Sequence, residues 1–348
     1  TPSQYTSVRL GEFPNPNVGW EKAKKLNLGA DLSFFNQLNI SVDYFKENRE
    51  GIFLQRKSIP MYVGLSTKPW VNIGKMRNSG IDASLEYHQP LGKDFHLTVR
   101  GNFTYARNRI MDQDEPDYAY TYMNRSGQMQ YQKFGLVAVG LFQDQEDIDS
   151  WTKQSFGEVK PGDIKYLDLN GDGIVDSYDT KPIGYSDIPE IVYGFGFSLQ
   201  WKAFDLSAFF QGVAHVNFST LTDQTQAFVG RNLKESSVFA DLYGNTWTPE
   251  NPGAKYPRMT TGAVDNNNQL STFWMADGRY LRLKNLELGY TLPKRIANKI
   301  AMQNLRVYLS GVNLFTFSPF KLWDPDLQTG ATNYPNNRII NIGLTIGF

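Results

Sequence analysis

Large apolar residues alternate with small or polar residues along several segments of the chain. The final segment has large apolar side chains at every second position, namely Ile340, Ile342, Leu344, Ile346 and Phe348. The residues between them are small or polar. A period of two predicts a β-strand with one apolar face and one polar face. About 9–11 such residues are enough to cross a bilayer as a tilted strand.

The same alternation recurs in pairs of segments that are joined by short turns. The paired segments cover residues 26–34 with 38–44, 81–87 with 95–105, and 191–201 with 204–212. Asp31, Asp82 and Arg100 fall on the polar faces, where the lumen of a barrel tolerates charge. Longer polar stretches lie between the pairs, at residues 108–133, 143–189, 213–277 and 318–337. Short turns at one end and long loops at the other are typical of outer-membrane barrels, whose long loops are extracellular.

The pattern predicts an all-β chain that forms part of a transmembrane antiparallel β-barrel, with about ten strands and long extracellular loops. A strand of a soluble sandwich shows similar alternation, so the recurrence carries the prediction. Near Lys284 the apolar positions change from odd to even numbers, which predicts a β-bulge. Residues 294–303 are predicted to form a short helix in an inner turn. No apolar run approaches the roughly 20 residues of a membrane-spanning helix.

Composition supports a membrane barrel and excludes other classes. Aromatic residues make up 14% of the chain, yet its mean hydropathy is −0.44. This combination is expected where alternate residues face water and aromatic rings line both interfaces. The 35 basic residues balance the 35 acidic residues, so we expect no nucleic-acid partner. The absence of cysteine excludes disulfides and thiolate metal sites, and we expect any signal sequence to lie upstream of Thr1.

Residues 168–179, within the predicted extracellular loop 143–189, match the spacing of a calcium-binding loop. The predicted ligands are the side chains of Asp168, Asn170, Asp172, Asp176 and Asp179 and the backbone carbonyl of Ile174. Calcium prefers six to eight oxygen ligands, which this set supplies together with negative charge. The last position holds aspartate where glutamate is usual, and this shorter side chain would reach less far. The sequence predicts a structural Ca²⁺ ion, and the alternative is a metal-free turn of aspartate, asparagine and glycine residues.

Aromatic side chains in the long loops are candidates for contact with a ligand. The residues singled out for this role are Tyr118, Tyr120, Tyr122, Trp151 and Trp274. Flat rings stack on sugar rings and on peptide side chains, and neighbouring polar groups could complete the contact. The alternative is that these rings pack within the loops or form an interfacial girdle.

Five blocks of sequence resemble the carboxy-terminal part of SusC-like TonB-dependent outer-membrane transporters. They occupy residues 72–81, 161–173, 247–252, 280–293 and 306–314. The resemblance runs from about residue 20 to Phe348, with the blocks in the same order and spacing. It implies a barrel of about 22 strands with an amino-terminal plug. Residues 1–348 would form the carboxy-terminal portion of that barrel, without the plug.

The resemblance also implies a function. It implies import of oligosaccharides or peptides across the outer membrane of a Gram-negative bacterium. The implied partners are a SusD-like surface lipoprotein, the TonB complex acting through the plug, the remainder of the barrel and outer-membrane lipids. We expect no enzyme activity, because the sequence holds no G-x-S-x-G, H-E-x-x-H or phosphate-binding glycine motif. The alternatives are a surface binding or adhesion barrel without active transport, and a barrel enzyme.

Overall fold

A computed structural model describes residues 14–65, 67–222, 225–226, 239–297, 299 and 302–347. The chain divides into two compact units, which are described separately. Unit 1 holds residues 1–28, 44–80 and 106–130. Unit 2 holds residues 29–43, 81–105 and 131–348.

Nearly all regular structure in the described residues is β-strand. The strands in chain order are β1 (Lys22–Phe34), β2 (Leu38–Gln55), β3 (Trp70–Leu91), β4 (Phe95–Asp112), β5 (Phe134–Gly135), β6 (Ala138–Leu141), β7 (Lys153–Gln154), β8 (Ile164–Tyr166), β9 (Ile174–Val175), β10 (Lys181–Pro182), β11 (Ile191–Trp201), β12 (Phe204–Ala214), β13 (Asn217–Ser219), β14 (Met275–Asp277), β15 (Tyr280–Thr291), β16 (Asn304–Phe317) and β17 (Ile339–Gly347). The α-helices are α1 (Gln145–Ser150) and α2 (Lys294–Ala297). Single 3₁₀ turns are formed by Met61–Val63, Thr121–Met123, Ser177–Asp179, Ala240–Leu242, Thr272–Trp274 and Pro325–Leu327.

The long strands form one nine-stranded sheet. Its order is β1-β2-β3-β4-β11-β12-β15-β16-β17, with β1 and β17 at its two edges. Every pair from β4 to β17 is antiparallel. The prediction of an all-β, antiparallel chain is confirmed, and the sheet has nine strands in the described residues against an expectation of about ten. No helix in this part of the chain is long and apolar enough to cross a membrane.

The register of the sheet aligns apolar residues of neighbouring strands on one face. One row across six strands consists of Leu97, Leu199, Leu206, Leu288, Leu309 and Ile342. The neighbouring row on the same face contains Phe95, Trp201, Phe204 and Tyr290. The rings of Trp201 and Phe204 lie 6.4 Å apart, and those of Phe204 and Tyr290 lie 4.7 Å apart. Since Ile342 is 83% exposed, the described protein does not cover this face, as expected for lipid contact below an aromatic girdle.

A β-bulge interrupts β15 at Lys284, as the sequence predicts. Phe209 of β12 pairs with Asn285, and Phe210 pairs with Leu283, so the pairing steps over Lys284. The register between β15 and β16 shifts at the same place. In an uninterrupted strand, the odd-numbered leucines before Lys284 and the even-numbered leucines after it would point to opposite faces. The extra residue at the bulge shifts the alternation by one, so the leucines on both sides of Lys284 lie on one face of the sheet.

A buried hydrophobic cluster of unit 2 lies in the connections between the long strands, not on the sheet. Its buried members are Leu136, Leu141, Ile164, Tyr166, Val175, Leu242, Trp247, Tyr256 and Trp274. Short strands organise these connections, pairing as β5 with β10, β6 with β8, β7 with β9 and β13 with β14. The segment 143–189, predicted as a long loop, therefore has its own short elements and contributes to a packed core.

An inner turn of unit 2 contains the helix predicted over residues 294–303. The structure confirms a helical turn at Lys294–Ala297, and residues 298, 300 and 301 of the predicted helix lie outside the described residues.

Asp114 ties together two connections of unit 1. Its carboxylate accepts hydrogen bonds from the amides of Lys57 at 2.7 Å and Ser58 at 3.1 Å, and from the Arg56 guanidinium at 3.2 Å. Burial alone would raise the pKa of Asp114, but these donors lower it to about 2. The turn between β2 and β3 is thereby fixed to the segment that follows β4.

Candidate functional site

A cleft of about 470 Å³ opens among the connections of unit 2. We call it the loop cleft. It is lined by Thr220 and by residues 239–241, 255–256, 273–277 and 319–322. Its lining combines the rings of Phe239, Phe273 and Phe320 with the charges of Asp241, Lys255, Asp277 and Lys321. Concave sites with apolar walls and a few polar groups are the usual places of ligand binding.

An aromatic cluster fixes one wall of the loop cleft. Phe320 packs edge-on against Phe218, with ring centres 5.0 Å apart, and against Trp323, at 4.6 Å. Phe239 stacks on Trp323 at 5.8 Å. The indole nitrogen of Trp323 donates to the carbonyl of Gln328 at 2.7 Å, which sets the orientation of the ring. The wall is therefore arranged before any ligand arrives, which lowers the entropy cost of binding.

Charged groups form the rim of the loop cleft. Lys255 Nζ and the Tyr256 hydroxyl both donate to Asp241 Oδ2, each at 2.6 Å. The hydrogen bond from Lys255, followed by that from Tyr256, holds the pKa of Asp241 below its usual value. The carboxylate and the ammonium are thus both charged at neutral pH. Lys321 is exposed and forms no ion pair with any described residue, so it offers three donors.

A buried ion pair supports the connections around the loop cleft. Asp163 is 0% exposed and accepts hydrogen bonds from Arg258 Nε at 2.8 Å and Nη2 at 3.1 Å. Asn267 Nδ2 donates to the same carboxylate at 2.9 Å, and the amide of Lys160 donates at 2.8 Å. We call this set the Asp163 clamp. It joins two connections that are about one hundred residues apart in the chain.

A second buried group, the Arg282 clamp, holds the segment that carries Phe320 and Trp323. Arg282 is 2% exposed and donates to Thr316 Oγ1 at 3.0 Å and to Asp326 Oδ2 at 2.8 Å. It also donates to Asp324. The clamp ties residues 318–337 to the first residues of β15.

The predicted ligand-contacting aromatics fall in different units. Tyr118, Tyr120 and Tyr122 belong to unit 1, where the rings of Tyr120 and Tyr122 stack 5.3 Å apart. Their contact with a ligand stays a prediction. Trp151 and Trp274 belong to unit 2 and have packing partners there.

Both tryptophans are held by contacts within unit 2. Trp274 is 2% exposed and its indole nitrogen donates to the carbonyl of Asn267 at 2.8 Å. Trp151 donates to the carbonyl of Tyr166 at 2.8 Å, and Lys165 Nζ lies 4.1 Å from its ring centre. Trp274 lines the loop cleft, whereas the cation of Lys165 occupies a ring face of Trp151. A ligand contact by these two residues stays a prediction.

Sequence reasoning missed Phe239, Phe320 and Lys321. The run Phe320-Lys321-Leu322-Trp323 in a polar connection is a signal that could have identified two of them. Phe239 has no comparable local signal, because its place in the cleft depends on packing against Trp323.

Backbone amides close the loop at residues 168–179. Asp168 accepts the amides of Gly171 at 2.6 Å and Gly173 at 2.9 Å. Asp179, which is 0% exposed, accepts the amides of Leu169 at 2.7 Å and Asp176 at 2.8 Å. Similar bonds engage the side chains of Asn170, Asp172 and Asp176.

The side chains predicted to bind calcium all accept backbone amides of their own loop. The described residues contain no group of three or more histidine, cysteine, aspartate or glutamate side chains that could hold a metal ion. The residue types suit a bound calcium ion. Calcium, including the carbonyl ligand from Ile174, stays a prediction of the sequence.

We expect Asp179→Ala to open this loop with or without calcium. The substitution leaves three buried or half-buried amides without their acceptor, at a cost of about 1–3 kcal/mol for each unsatisfied group. Hydrogen exchange of the amides of residues 168–179 would measure the loss, with Ser177→Ala as a control for an exposed side chain in the same loop. A loss confined to calcium-containing buffer would show instead that Asp179 acts through the metal.

Comparison with known proteins identifies the family. Residues 2–314 match the family model described as TonB dependent receptor-like, beta-barrel. TonB-dependent receptor P3 of Formosa agariphila is 30% identical over 99% of this chain and 36% of its own length. TonB-dependent receptor SusC of Bacteroides thetaiotaomicron is 26% identical over 99% of this chain and 33% of its own length. The chain thus spans about a third of these relatives.

Solved structures show the same fold. The RagAB peptide transporter matches 96% of this chain and 36% of its own chain, with 22% identity and a TM-score of 0.71. The RagAB peptide importer in its open-open state matches 99% of this chain with a TM-score of 0.72.

These matches confirm the resemblance seen in the sequence. Members of the matched family are outer-membrane β-barrels of Gram-negative bacteria, which is consistent with the exposed apolar face of the sheet. The family consists of receptors and transporters, not enzymes, which confirms the expectation of a non-enzymatic chain. The chain belongs to the TonB-dependent receptor-like β-barrel family, of which it represents a carboxy-terminal part of the barrel.

Proposed function

We propose that this chain forms the carboxy-terminal part of an outer-membrane importer driven by TonB. The observation that carries the proposal is the sheet, which has an exposed apolar face aligned across strands and a polar opposite face. Such a sheet suits a barrel wall between lipid and an aqueous lumen. The membership of the family supports the same function.

The proposed partners follow from the same family. They are a SusD-like surface lipoprotein, the TonB complex acting on a plug, the remainder of the barrel and the lipids of the outer membrane. RagAB is described as a peptide importer. At 22% identity this likeness supports the fold alone, so we propose an oligosaccharide or a peptide as the substrate.

We propose further that the loop cleft contacts the substrate. Phe239 and Phe320 present aromatic surfaces that suit a sugar ring or an apolar peptide side chain. Asp241 and Lys321 supply an acceptor and a donor for hydroxyl, amide or carboxylate groups. The volume of the cleft, about 470 Å³, lies in the range of small-molecule sites.

Uptake by cells that produce the full-length protein tests the proposal. Labelled oligosaccharides and labelled peptides would be offered in parallel, in cells with and without a functional TonB complex. We expect accumulation of one of the two classes, and its loss without TonB. We expect Phe239→Ala with Phe320→Ala to reduce uptake about tenfold, and Phe35→Ala, an exposed ring in a short turn, to have no effect.

Two results would overturn parts of the proposal. Binding of the label at the cell surface without TonB-dependent accumulation would favour a binding or adhesion barrel. Normal uptake by the double phenylalanine variant would leave import standing but remove the loop cleft from substrate recognition.

A further inference from the structure

We propose that a basic band on the outward face of unit 1 binds phosphate groups of lipid headgroups in the outer leaflet. The band consists of Lys22, Lys24, Lys46, Lys75, Arg77, Arg107 and Arg109. The inference rests on the membrane location in the proposed function, and it adds a lipid site to it.

The band continues the apolar face of each strand. In β1 the apolar positions are even-numbered, and beyond Leu26 the same alternation reaches Lys24 and then Lys22. In β2, Tyr44 is followed two residues later by Lys46. Because alternate residues of a strand share a face, these lysines lie on the same face as Leu26 and Tyr44, the apolar face that the proposed function directs to lipid. The same alternation assigns Lys75 and Arg77 in β3, and Arg107 and Arg109 in β4, to this side.

Side-chain contacts separate the two faces of unit 1. On the inward side, Glu47 pairs with Lys25 at 3.2 Å and with Arg49 at 2.8 Å. On the outward side, Arg77 Nε donates to Asn48 Oδ1 at 3.1 Å. Neighbouring residues 47 and 48 thus point to opposite sides, as the alternation requires.

Charge is distributed unequally between these faces. At the outward positions, the seven basic residues of the band are accompanied by one acidic residue, Glu50. The inward charges are mixed and paired, as in the contact of Arg49 with Glu21 at 2.8 Å. The whole chain carries no net charge, so the outward excess is local.

Several cations of the band are available to a ligand. Lys22, Lys24 and Lys46 form no ion pair with any described residue, whereas Lys75 forms a long ion pair with Asp112, at 4.0 Å. Arg77 and Arg109 each have a neutral partner, Asn48 and the carbonyl of Gly127. A neutral partner leaves the positive charge of the guanidinium uncompensated.

The positions of Lys24 and Lys46 fit the headgroup layer. The strand ends of the band lead into a long connection, residues 56–69 between β2 and β3. Long connections mark the extracellular side of a barrel. Lys24 and Lys46 lie two residues beyond Leu26 and Tyr44, which is about 7 Å along a strand. The headgroup layer on each side of a bilayer is about 5–8 Å thick.

Phosphate is the group that this chemistry favours. Lysine and arginine make short, charge-assisted bonds to phosphate oxygens, and clusters of them attract anionic lipid surfaces. Cations that point outward beside an apolar face can reach a headgroup while its acyl chains contact the sheet.

The test measures lipid binding by the detergent-purified full-length protein. The probes are diphosphoryl lipid A, the same lipid after removal of its phosphates, and inorganic phosphate. The variant changes Lys22, Lys24, Lys46 and Lys75 to glutamine and keeps the arginines that bond within the fold. The control variant changes Lys93, Lys202 and Lys294, which are exposed at the short-turn end. Heat-modifiable migration in gels verifies that both variants fold.

We expect the wild-type protein to prefer the phosphorylated lipid, and the four-lysine variant to bind it about tenfold or more weakly. The control variant should bind as the wild type does. The proposal would be overturned if the four-lysine variant bound the phosphorylated lipid as tightly as the control variant does. It would also be overturned if the wild-type protein bound the dephosphorylated lipid as tightly as the phosphorylated lipid. Displacement of the lipid by inorganic phosphate alone would indicate a simple anion site and would overturn the proposal. If the four-lysine variant bound lipid normally but lost a co-purifying lipoprotein, the band would be a protein contact, which would also overturn the proposal.

Lipid binding and transport are measured separately, so the two proposals can fail independently. A protein that binds the phosphorylated lipid through the band but shows no TonB-dependent uptake would retain the lipid site and lose the import function.

Discussion

Replacing Asp163 with alanine is expected to unfold the connections around the loop cleft while the sheet stays paired. The carboxylate is fully buried and holds the guanidinium of Arg258 and the amide of Asn267. Its removal leaves the partly buried guanidinium of Arg258 without its partner, and full burial would make this cost about 3–5 kcal/mol, so we expect a value at or below the lower end of that range. Hydrogen exchange should show faster exchange in residues 160–167 and 254–268, with little change in β16 and β17.

Two further variants define the cause of this effect. Asp163→Asn keeps the shape of the side chain but removes its charge, and we expect an intermediate loss. Asp149→Ala removes an exposed acid from the same segment and should change stability by less than about 0.5 kcal/mol. An Asp163→Ala protein with wild-type exchange in these connections would show that the clamp does not hold them.

Arg282→Ala is expected to release residues 318–337 from β15. The guanidinium is almost fully buried and makes hydrogen bonds to Asp324, Asp326 and Thr316. Without it, two carboxylates face each other with no cation between them, and we expect a loss of about 3–5 kcal/mol in the opening free energy of this segment. Limited proteolysis should then cleave between residues 318 and 337.

Arg282→Lys provides the matched control. Lysine keeps the charge but lacks the planar, forked donors that reach both aspartates, so we expect a smaller loss than with alanine. Because this segment carries Phe320 and Trp323, the alanine variant should also weaken the substrate contact that we propose for the loop cleft. Unchanged proteolysis in the alanine variant would assign the position of the segment to the aromatic cluster instead.

The sheet could be predicted from the sequence because the pattern that specifies each strand lies within a few consecutive residues. The alternation that ends in Ile342 and Leu344 assigns each residue to a face, and the paired strands bring those residues into rows. The change of phase at Lys284 gave the bulge for the same reason. Each of these features depends on neighbours within a few positions along the chain.

The site could not be predicted because its parts are distant in sequence. Asp163 and Arg258 are separated by 95 residues, and no local period relates them. Residue type identified Trp151 and Trp274 as aromatic, but their packing depends on Lys165 and Asn267. The spacing at 168–179 supplied the ligand types for calcium, whereas the directions of the carboxylates depend on competing backbone amides.

The separation of the packed core from the sheet has a consequence for divergence within the family. The connections of unit 2 are stabilised by their own buried cluster, which includes Ile164, Tyr166 and Leu242. The sheet depends on backbone pairing and on side chains outside that cluster. Substitutions that reshape the connections can therefore accumulate without disturbing the strand register. One barrel wall can then serve receptors with different cargoes, and exchange of whole connections between relatives becomes a practical route to altered specificity.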